Sequence, residues 1–136
     1  MFIYQTGHKY LFSDITRNWE DSRGECELYG GWLVQINDLK EYNCLMRHGL
    51  QEETKTWYWT DGNDVANSGV WTHAFDGSDV DFFPPRGIRC KCGDNDDSCY
   101  GNALMLNIGD QLQIRGNYCD LPSSDSGRHF LCEATI

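Results

Sequence analysis

Residues 19–36 read WEDSRGECELYGGWLVQI, and this stretch carries the signals that decide the fold. It begins as a helix, because Asn18 is a favourable N-cap and Asp21 places a negative charge in the first turn. Four residues recur at helical spacing and are predicted to face the core: Trp19, Ser22, Cys26 and Tyr29. The pair Gly30-Gly31 ends the helix. Residues 32–36 are then predicted to form a short strand.

Further elements are predicted on both sides of this stretch. A strand is expected at His8–Phe12. A second helix begins near Asp38, because Asp38 and Glu41 have the spacing of a capping box, and it continues to about Leu50. Four later segments have strand-like sequences, namely 56–60, 103–107, 111–115 and 129–133.

Residues 61–98 form a segment rich in Gly, Asp, Asn and Pro, broken only by Val70-Trp71. Such a segment is too long for a plain connector, so we expect either a functional loop region or a poorly ordered one. No internal repeat or linker divides the chain, and 136 residues are enough to bury a core. We therefore expect one α+β domain spanning residues 1–136.

The charge of the chain argues against two classes of partner. With 11 Lys and Arg against 21 Asp and Glu, the formal net charge is −10 at pH 7. An acidic surface repels phosphate backbones and anionic lipid headgroups, and no apolar run is long enough to cross a bilayer. We expect no nucleic-acid partner and no membrane insertion. The acidity favours solubility or, less commonly, cation binding.

The seven cysteines indicate an oxidising compartment, and hence a secreted, extracellular protein. They contain no CxxC pair of the kind that zinc sites use. Their odd number requires at least one free thiol or one bridge to another chain. The first residues do not form the apolar stretch of a signal peptide, so we expect a mature domain with an added initiator Met.

Five motifs, in this order, resemble the C-type lectin-like domain and together cover nearly the whole chain. They are Trp19-x-x-Ser22-x-x-x-Cys26; Gly30-Gly31-x-Leu33-Val34-x-Ile36 followed by Glu41-x-x-x-Leu45; Tyr58-Trp59-Thr60-Asp61-Gly62; Gly69-Val70-Trp71; and Phe130-Leu131-Cys132-Glu133. The third stands where the family has Trp-Ile-Gly-Leu, and it is altered at three positions. The resemblance implies a disulfide-stapled α+β fold, with two helices flanking antiparallel sheets and a long loop region.

The resemblance also implies two disulfides, Cys26–Cys132 and Cys99–Cys119. The first would join the first helix to the last strand, and the second would close the base of the long loop. No cysteine precedes Cys26, so the additional N-terminal bridge of the long-form members is absent. The chain is thus similar to the short form.

Three cysteines, Cys44, Cys90 and Cys92, remain unassigned. Cys90 and Cys92 are too close in sequence for a comfortable mutual bridge, so we expect one of them to pair with Cys44 or with a partner chain. One internal pair and one intermolecular bridge would make a disulfide-linked homo- or heterodimer. The alternatives are a monomer with one capped or buried thiol, and three reduced, buried cysteines.

The family's calcium-dependent sugar motifs are degenerate in this chain. Members that bind sugar through calcium have a Glu-Pro-Asn or Gln-Pro-Asp triplet, and an Asn-Asp pair further on, which supply the oxygen ligands. Without gaps, the triplet columns hold Arg89-Cys90-Lys91 and the pair columns hold Arg115-Gly116, while Asp97 keeps a ligand type. A gapped alignment would place Pro84-Pro85 or Asn117 there, but no such triplet occurs anywhere in the chain. We expect no calcium at the standard site, no other metal and no cofactor.

A metal-free sugar site in the long loop is the remaining hypothesis. An acetamido group offers a methyl to bury against an aromatic ring and a directional amide, whereas plain hydroxyls only exchange hydrogen bonds with water. The candidate ligand contacts are Phe82, Phe83, Arg89, Asp94, Asn95, Asp97, Tyr100, Asn117 and Tyr118. The cluster at residues 94–97 also fits a solvated acidic turn or a partner for nearby cations, and the aromatic residues also fit packing.

No pattern in the sequence indicates catalysis. The four histidines show no ligand-like pairing, and neither a nucleophile elbow nor a phosphate-binding loop is present. We expect a protein that is not an enzyme: a calcium-independent lectin that recognises glycans, with a preference for N-acetylated sugars, in innate recognition or agglutination. The alternative is a protein-binding lectin-like domain without sugar activity.

Overall fold

The computed structural model describes residues 2–5, 7–51, 57–66, 70–82, 103–107 and 127–136. Two helices and seven strands occur within these ranges. In chain order they are β1 (Phe2–Gln5), β2 (His8–Phe12), α1 (Trp19–Leu28), β3 (Trp32–Leu33), α2 (Leu39–Gln51), β4 (Trp57–Asn63), β5 (Thr72–His73), β6 (Ala103–Asn107) and β7 (His129–Thr135). No helix in these ranges is long and apolar enough to cross a membrane.

The last strand, β7, organises the sheet. It pairs antiparallel with β2 and β3 and parallel with β4, so the described sheet is mixed. β1 extends the sheet beyond β2, while β5 and β6 both pair antiparallel with β4. Helices and antiparallel pairs therefore occur as predicted, with one parallel pair where the C-terminal strand meets β4. The hairpin partner β1 was not predicted.

Helix α1 begins as its sequence predicts. The Asn18 side chain accepts a hydrogen bond from the Asp21 amide (2.7 Å) and caps the first turn. Trp19, Ser22 and Cys26 are buried, as expected from their spacing. Tyr29 is 46% exposed, and its predicted place in the core is wrong. The reason is that the helix ends at Leu28, so Tyr29 leaves the helical face that the other three share.

Helix α2 is also capped as predicted, with one difference in detail. The Glu41 amide donates to the Asp38 carboxylate (2.8 Å), while the Glu41 carboxylate accepts from the amide of Asn37, one residue before the cap. Ahead of this helix, only Trp32–Leu33 of the predicted strand at 32–36 pairs as a strand. Val34 and Ile36 are still fully buried, because the chain continues through the core after the strand ends.

The core consists of two apolar clusters on either side of β4. One contains Tyr58 and the buried face of α2. The other surrounds Trp59 and Trp19, whose indole nitrogens donate to the carbonyls of Arg17 (3.0 Å) and Thr60 (2.9 Å). Both large rings are thus buried without leaving an unpaired donor.

The disulfide between Cys26 and Cys132 lies in the second cluster and confirms the predicted pairing. Its Cα atoms are 5.3 Å apart, within the ordinary range for a bridge. It ties the end of α1 to the centre of β7, which fixes the helix against the sheet.

Candidate functional site

The part of the predicted loop region at residues 61–82 contains the end of β4 and the short strand β5, whereas residues 83–102 and 108–126, which hold most of the predicted ligand contacts, lie outside the described residues. Eight of the nine candidates fall there: Phe83, Arg89, Asp94, Asn95, Asp97, Tyr100, Asn117 and Tyr118. So do the predicted bridge Cys99–Cys119 and the cysteines Cys90 and Cys92. These assignments stay predictions.

Phe82 is the one candidate that the structure describes. Its ring is half-buried, packs against the first core cluster and lies 6.2 Å from the ring of Tyr42 on α2. This contact anchors the chain where it leaves the described core toward the long loop. A ligand contact for Phe82 stays a prediction.

A wide groove runs along α2 beside Cys44. It measures about 550 Å³, and its described lining includes Lys40, Asn43, Cys44 and Arg47. The thiol of Cys44 is free and half-buried, and burial raises its pKa while Arg47 opposes the shift. The raised pKa favours the protonated thiol, which is a weaker nucleophile than the thiolate.

A second group of polar side chains is buried where β4 and β5 meet. Asp61 is only 1% exposed, and its carboxylate accepts from the amide of Phe75 (2.9 Å) and from the side chain of Gln35 (3.1 Å). Burial raises the pKa of Asp61, and these two hydrogen bonds oppose that shift. Asp61 therefore joins the segment after β3 to the turn after β5.

His73 is buried beside Asp61. It is 4% exposed, and its Nδ1 has no hydrogen-bond partner within the described part of the chain. Burial lowers the pKa of His73, although Asp61, Asp76 and Asp81 act in the opposite direction. The imidazole is consequently neutral at physiological pH.

A third polar cluster joins β2, β7 and α2. The Glu133 carboxylate is hydrogen-bonded to His8 and accepts from the amide of Gln35 (2.9 Å), and the Tyr10 hydroxyl donates to Glu41 (2.5 Å). Burial raises the pKa of Glu133. These hydrogen bonds pair buried polar atoms of different elements, so the cluster has a structural role. Across the described ranges, no three His, Cys, Asp or Glu side chains converge in a way that could hold a metal ion.

Among the described residues, the most exposed aromatic ring is that of Phe75, beside the cleft that Asp61 lines. The ring of Phe75 stacks on that of Trp32, with centroids 4.7 Å apart and planes 19° apart. A small cleft beside the pair is also lined by Arg23 and Glu27 from α1. Sequence patterns missed this arrangement, because it joins three distant segments and involves no motif.

Comparison with solved structures shows which fold this is. The mouse scavenger receptor C-type lectin carbohydrate-recognition domain superposes with a TM-score of 0.75 at 23% identity, covering 98% of this chain and 93% of that one. A perlucin-like protein from Mytilus galloprovincialis is 32% identical over 74 residues, which are 54% of this chain and 47% of the relative. The chain has the C-type lectin-like fold.

Further comparisons agree with this assignment. C-type lectin domain family 10 member A from Rattus norvegicus is 33% identical over 66 residues, which are 43% of this domain and 22% of the relative. The chain therefore spans about half or less of the length of these curated relatives. No protein-family model matches it.

Other solved structures with this fold belong to proteins of different kinds. One is a complex of SPL-1 with GlcNAc (TM-score 0.71, 20% identity, 97% of this domain and 90% of that chain). Another is a calcium-independent type II antifreeze protein (TM-score 0.71, 19% identity, 99% of this domain and 92% of that chain). The fold is therefore compatible with sugar binding but does not by itself require it.

Proposed function

We propose that this domain is an extracellular, calcium-independent lectin that binds glycans and prefers N-acetylated sugars. The observation that carries the proposal is its fold, which it shares with a carbohydrate-recognition domain and with a protein solved in complex with GlcNAc. Innate recognition or agglutination is the role we assign to such a domain. We infer no catalytic activity, since the curated relatives named above are lectin-like proteins.

The loop sequence supports calcium independence. In an alignment without gaps, the positions where the family draws oxygen ligands hold Arg89-Cys90-Lys91 and Arg115-Gly116. Cations in those positions repel a divalent ion, and a glycine offers no side-chain oxygen. A sugar that binds here must be held by direct contacts with the protein.

The preference for N-acetylated sugars follows from the residues available for such contacts. Tyr100 and Tyr118 provide aromatic faces that bury an acetamido methyl, and Asn95 and Asn117 provide partners for its amide. This group binds better than a hydroxyl alone, because it adds apolar burial to a directional hydrogen bond.

The cysteines support an extracellular location and a covalent dimer. The Cys26–Cys132 bridge is typical of an oxidising compartment. Cys44 is free on a helix groove and is available to Cys90, Cys92 or a partner chain. A dimer would link two weak sugar sites and gain avidity. Gel electrophoresis without reductant should show a band at twice the 15.6 kDa chain mass, which reductant removes.

The test of the function is a glycan array probed with and without a calcium chelator. We expect the same N-acetylated glycans to give signal under both conditions. As a variant, Tyr100→Ala should weaken that signal, whereas the exposed Leu28→Ala, far from the loop in sequence, should keep it in full. An array that stays blank under both conditions would overturn the lectin proposal in favour of a protein-binding domain. Signal that disappears with chelator would overturn calcium independence.

A further inference from the structure

Phe75 combines high exposure with a fixed position. Its side chain lies 55% exposed at the tip of the turn after β5. One face of the ring stacks on Trp32, which is itself half-buried, and the indole and the ring of His8 lie nearly perpendicular, with centroids 6.2 Å apart. The other face of the Phe75 ring is exposed to water. Covering this face with a ligand would remove apolar surface from water, which is favourable.

The backbone beneath Phe75 is held by several hydrogen bonds. The Phe75 amide donates to the buried Asp61 carboxylate (2.9 Å). In the same turn, the Asp76 carboxylate accepts from the amide and hydroxyl of Ser78 (3.0 and 2.6 Å), and the Gly77 amide donates to the His73 carbonyl (2.8 Å). The exposed ring is therefore preorganised, and a ligand that covers it pays little ordering entropy.

Planar polar side chains border the aromatic pair. Arg23 and Glu27 line the cleft beside Trp32 and Phe75. The Arg23 guanidinium is positioned by a salt bridge to Glu20 (2.9 Å) and by its place over the Trp19 ring. Together, an exposed aromatic face, a positioned guanidinium and a nearby carboxylate offer both apolar contact and hydrogen bonds.

The shape of this surface limits what it can bind. The enclosed part of the cleft is about 10 Å³, which holds one water molecule at most. A ligand must therefore lie across the rings and not enter a pocket. Two aromatic side chains cover at most about 500 Å², short of the roughly 800 Å² per partner of a stable protein interface.

We infer that Phe75 and Trp32 form a second sugar-binding surface, which takes a neutral pyranose ring. The C–H groups on one face of a pyranose carry partial positive charge and pack on the negative face of an aromatic ring. The hydroxyls at its rim reach the carboxylate of Glu27 and the guanidinium of Arg23. This surface is separate from the predicted long-loop site and does not depend on an acetamido group.

The inference is tested by chemical-shift mapping of amide and indole NMR signals on the intact domain in chelator. Two probes are titrated: a glucose trimer and an N-acetylglucosamine trimer. We expect both to shift the signals of Phe75, its turn and the Trp32 indole. Phe75→Ala should weaken this binding about tenfold, while the equally exposed Val70→Ala should leave it unchanged.

The outcomes separate this inference from the proposed function. Shifts near Phe75 with both sugars, lost in Phe75→Ala only, support the second surface. Shifts confined to the long loop, and caused only by the N-acetylated probe, overturn the second surface while the proposed function stands. Shifts near Phe75 without any in the long loop support the second surface and contradict the predicted loop site. The absence of shifts with either probe overturns both.

Discussion

Three glycines within eight residues of each other occupy very different environments, and alanine substitutions should reveal this. A Cβ at Gly31 would lie 2.0 Å from the carbonyl oxygen of Glu133 and 2.9 Å from the Ala134 Cβ. Gly30 has open space around it but a φ of +82°, and Gly24 has open space inside α1. The three substitutions therefore test a backbone clash, a backbone conformation and helix propensity in turn.

Gly31→Ala should be the most destabilising of the three substitutions, because the backbone of β7 cannot move locally away from the added Cβ. Normal heavy-atom contacts are about 3.5 Å, so the chain before β3 would have to move more than about 1 Å from β7. The adjacent pairing of Trp32 with Glu133 and the 2.8 Å bond from the Val34 amide to Leu131 would be strained. Overpacking costs about 1–3 kcal/mol, and the two strained hydrogen-bonded contacts cost about 1 kcal/mol each. The free energy of unfolding should therefore fall by roughly 3–5 kcal/mol.

The other two substitutions serve as matched controls. Gly30→Ala should cost about 1–2 kcal/mol, the penalty for a left-handed conformation with a Cβ. Gly24→Ala should stabilise the domain by about 0.5–1 kcal/mol, because alanine is the better helix former. Urea unfolding followed by tryptophan fluorescence, without reductant, measures all three. A Gly31→Ala variant within about 1 kcal/mol of wild type, or one less damaging than Gly30→Ala, would refute the reasoning.

Three further perturbations have definite expected outcomes. Replacing Cys26 and Cys132 together by alanine releases a constraint across a separation of 106 residues and should lower the unfolding free energy by about 5 kcal/mol; a loss under about 2 kcal/mol in urea unfolding would contradict this. Folding lowers the pKa of His73. The contribution of its neutral imidazole to the free energy of unfolding is therefore fully present above the ordinary pKa of 6.5 and is lost as pH falls through the pKa of the folded state. His73→Phe should therefore raise Tm more at about pH 5 than at about pH 8, and an equal change at both would contradict this. The raised pKa values of Asp61 and Glu133 change stability with pH in the opposite direction, but they do so in the wild type and in the variant alike. Adding calcium to about 1 mM should leave Tm unchanged, whereas a rise of several degrees would reveal a site.

Local signals predicted the helices because both caps depend on residues close in sequence. Asn18 and Asp38 each bond an amide three residues later, so their patterns are readable without knowing the fold. The Cys26–Cys132 bridge came from the family resemblance. Tyr29 was misplaced, since periodicity indicates the face of a helix but not the residue at which the helix ends.

Other features depend on contacts between distant segments. The strand predicted at 32–36 is shortened to Trp32–Leu33 because β7 pairs with β4 instead at His129 and Phe130, which the local sequence does not reveal. Asp61 and His73 are buried, although an aspartate is usually exposed, because β5 pairs with the end of β4. The stacking of Phe75 on Trp32 likewise arises only once the turn after β5 is anchored to Asp61.

Calcium-independent recognition of N-acetylated sugars is the central claim, and isothermal titration calorimetry tests it most directly. The N-acetylglucosamine trimer is titrated into the intact domain twice, once with chelator and once with about 1 mM calcium. We predict measurable binding in both titrations with dissociation constants that agree within about twofold, and weaker binding of the glucose trimer. Binding that requires calcium, or heats of dilution alone in both titrations, would contradict the claim.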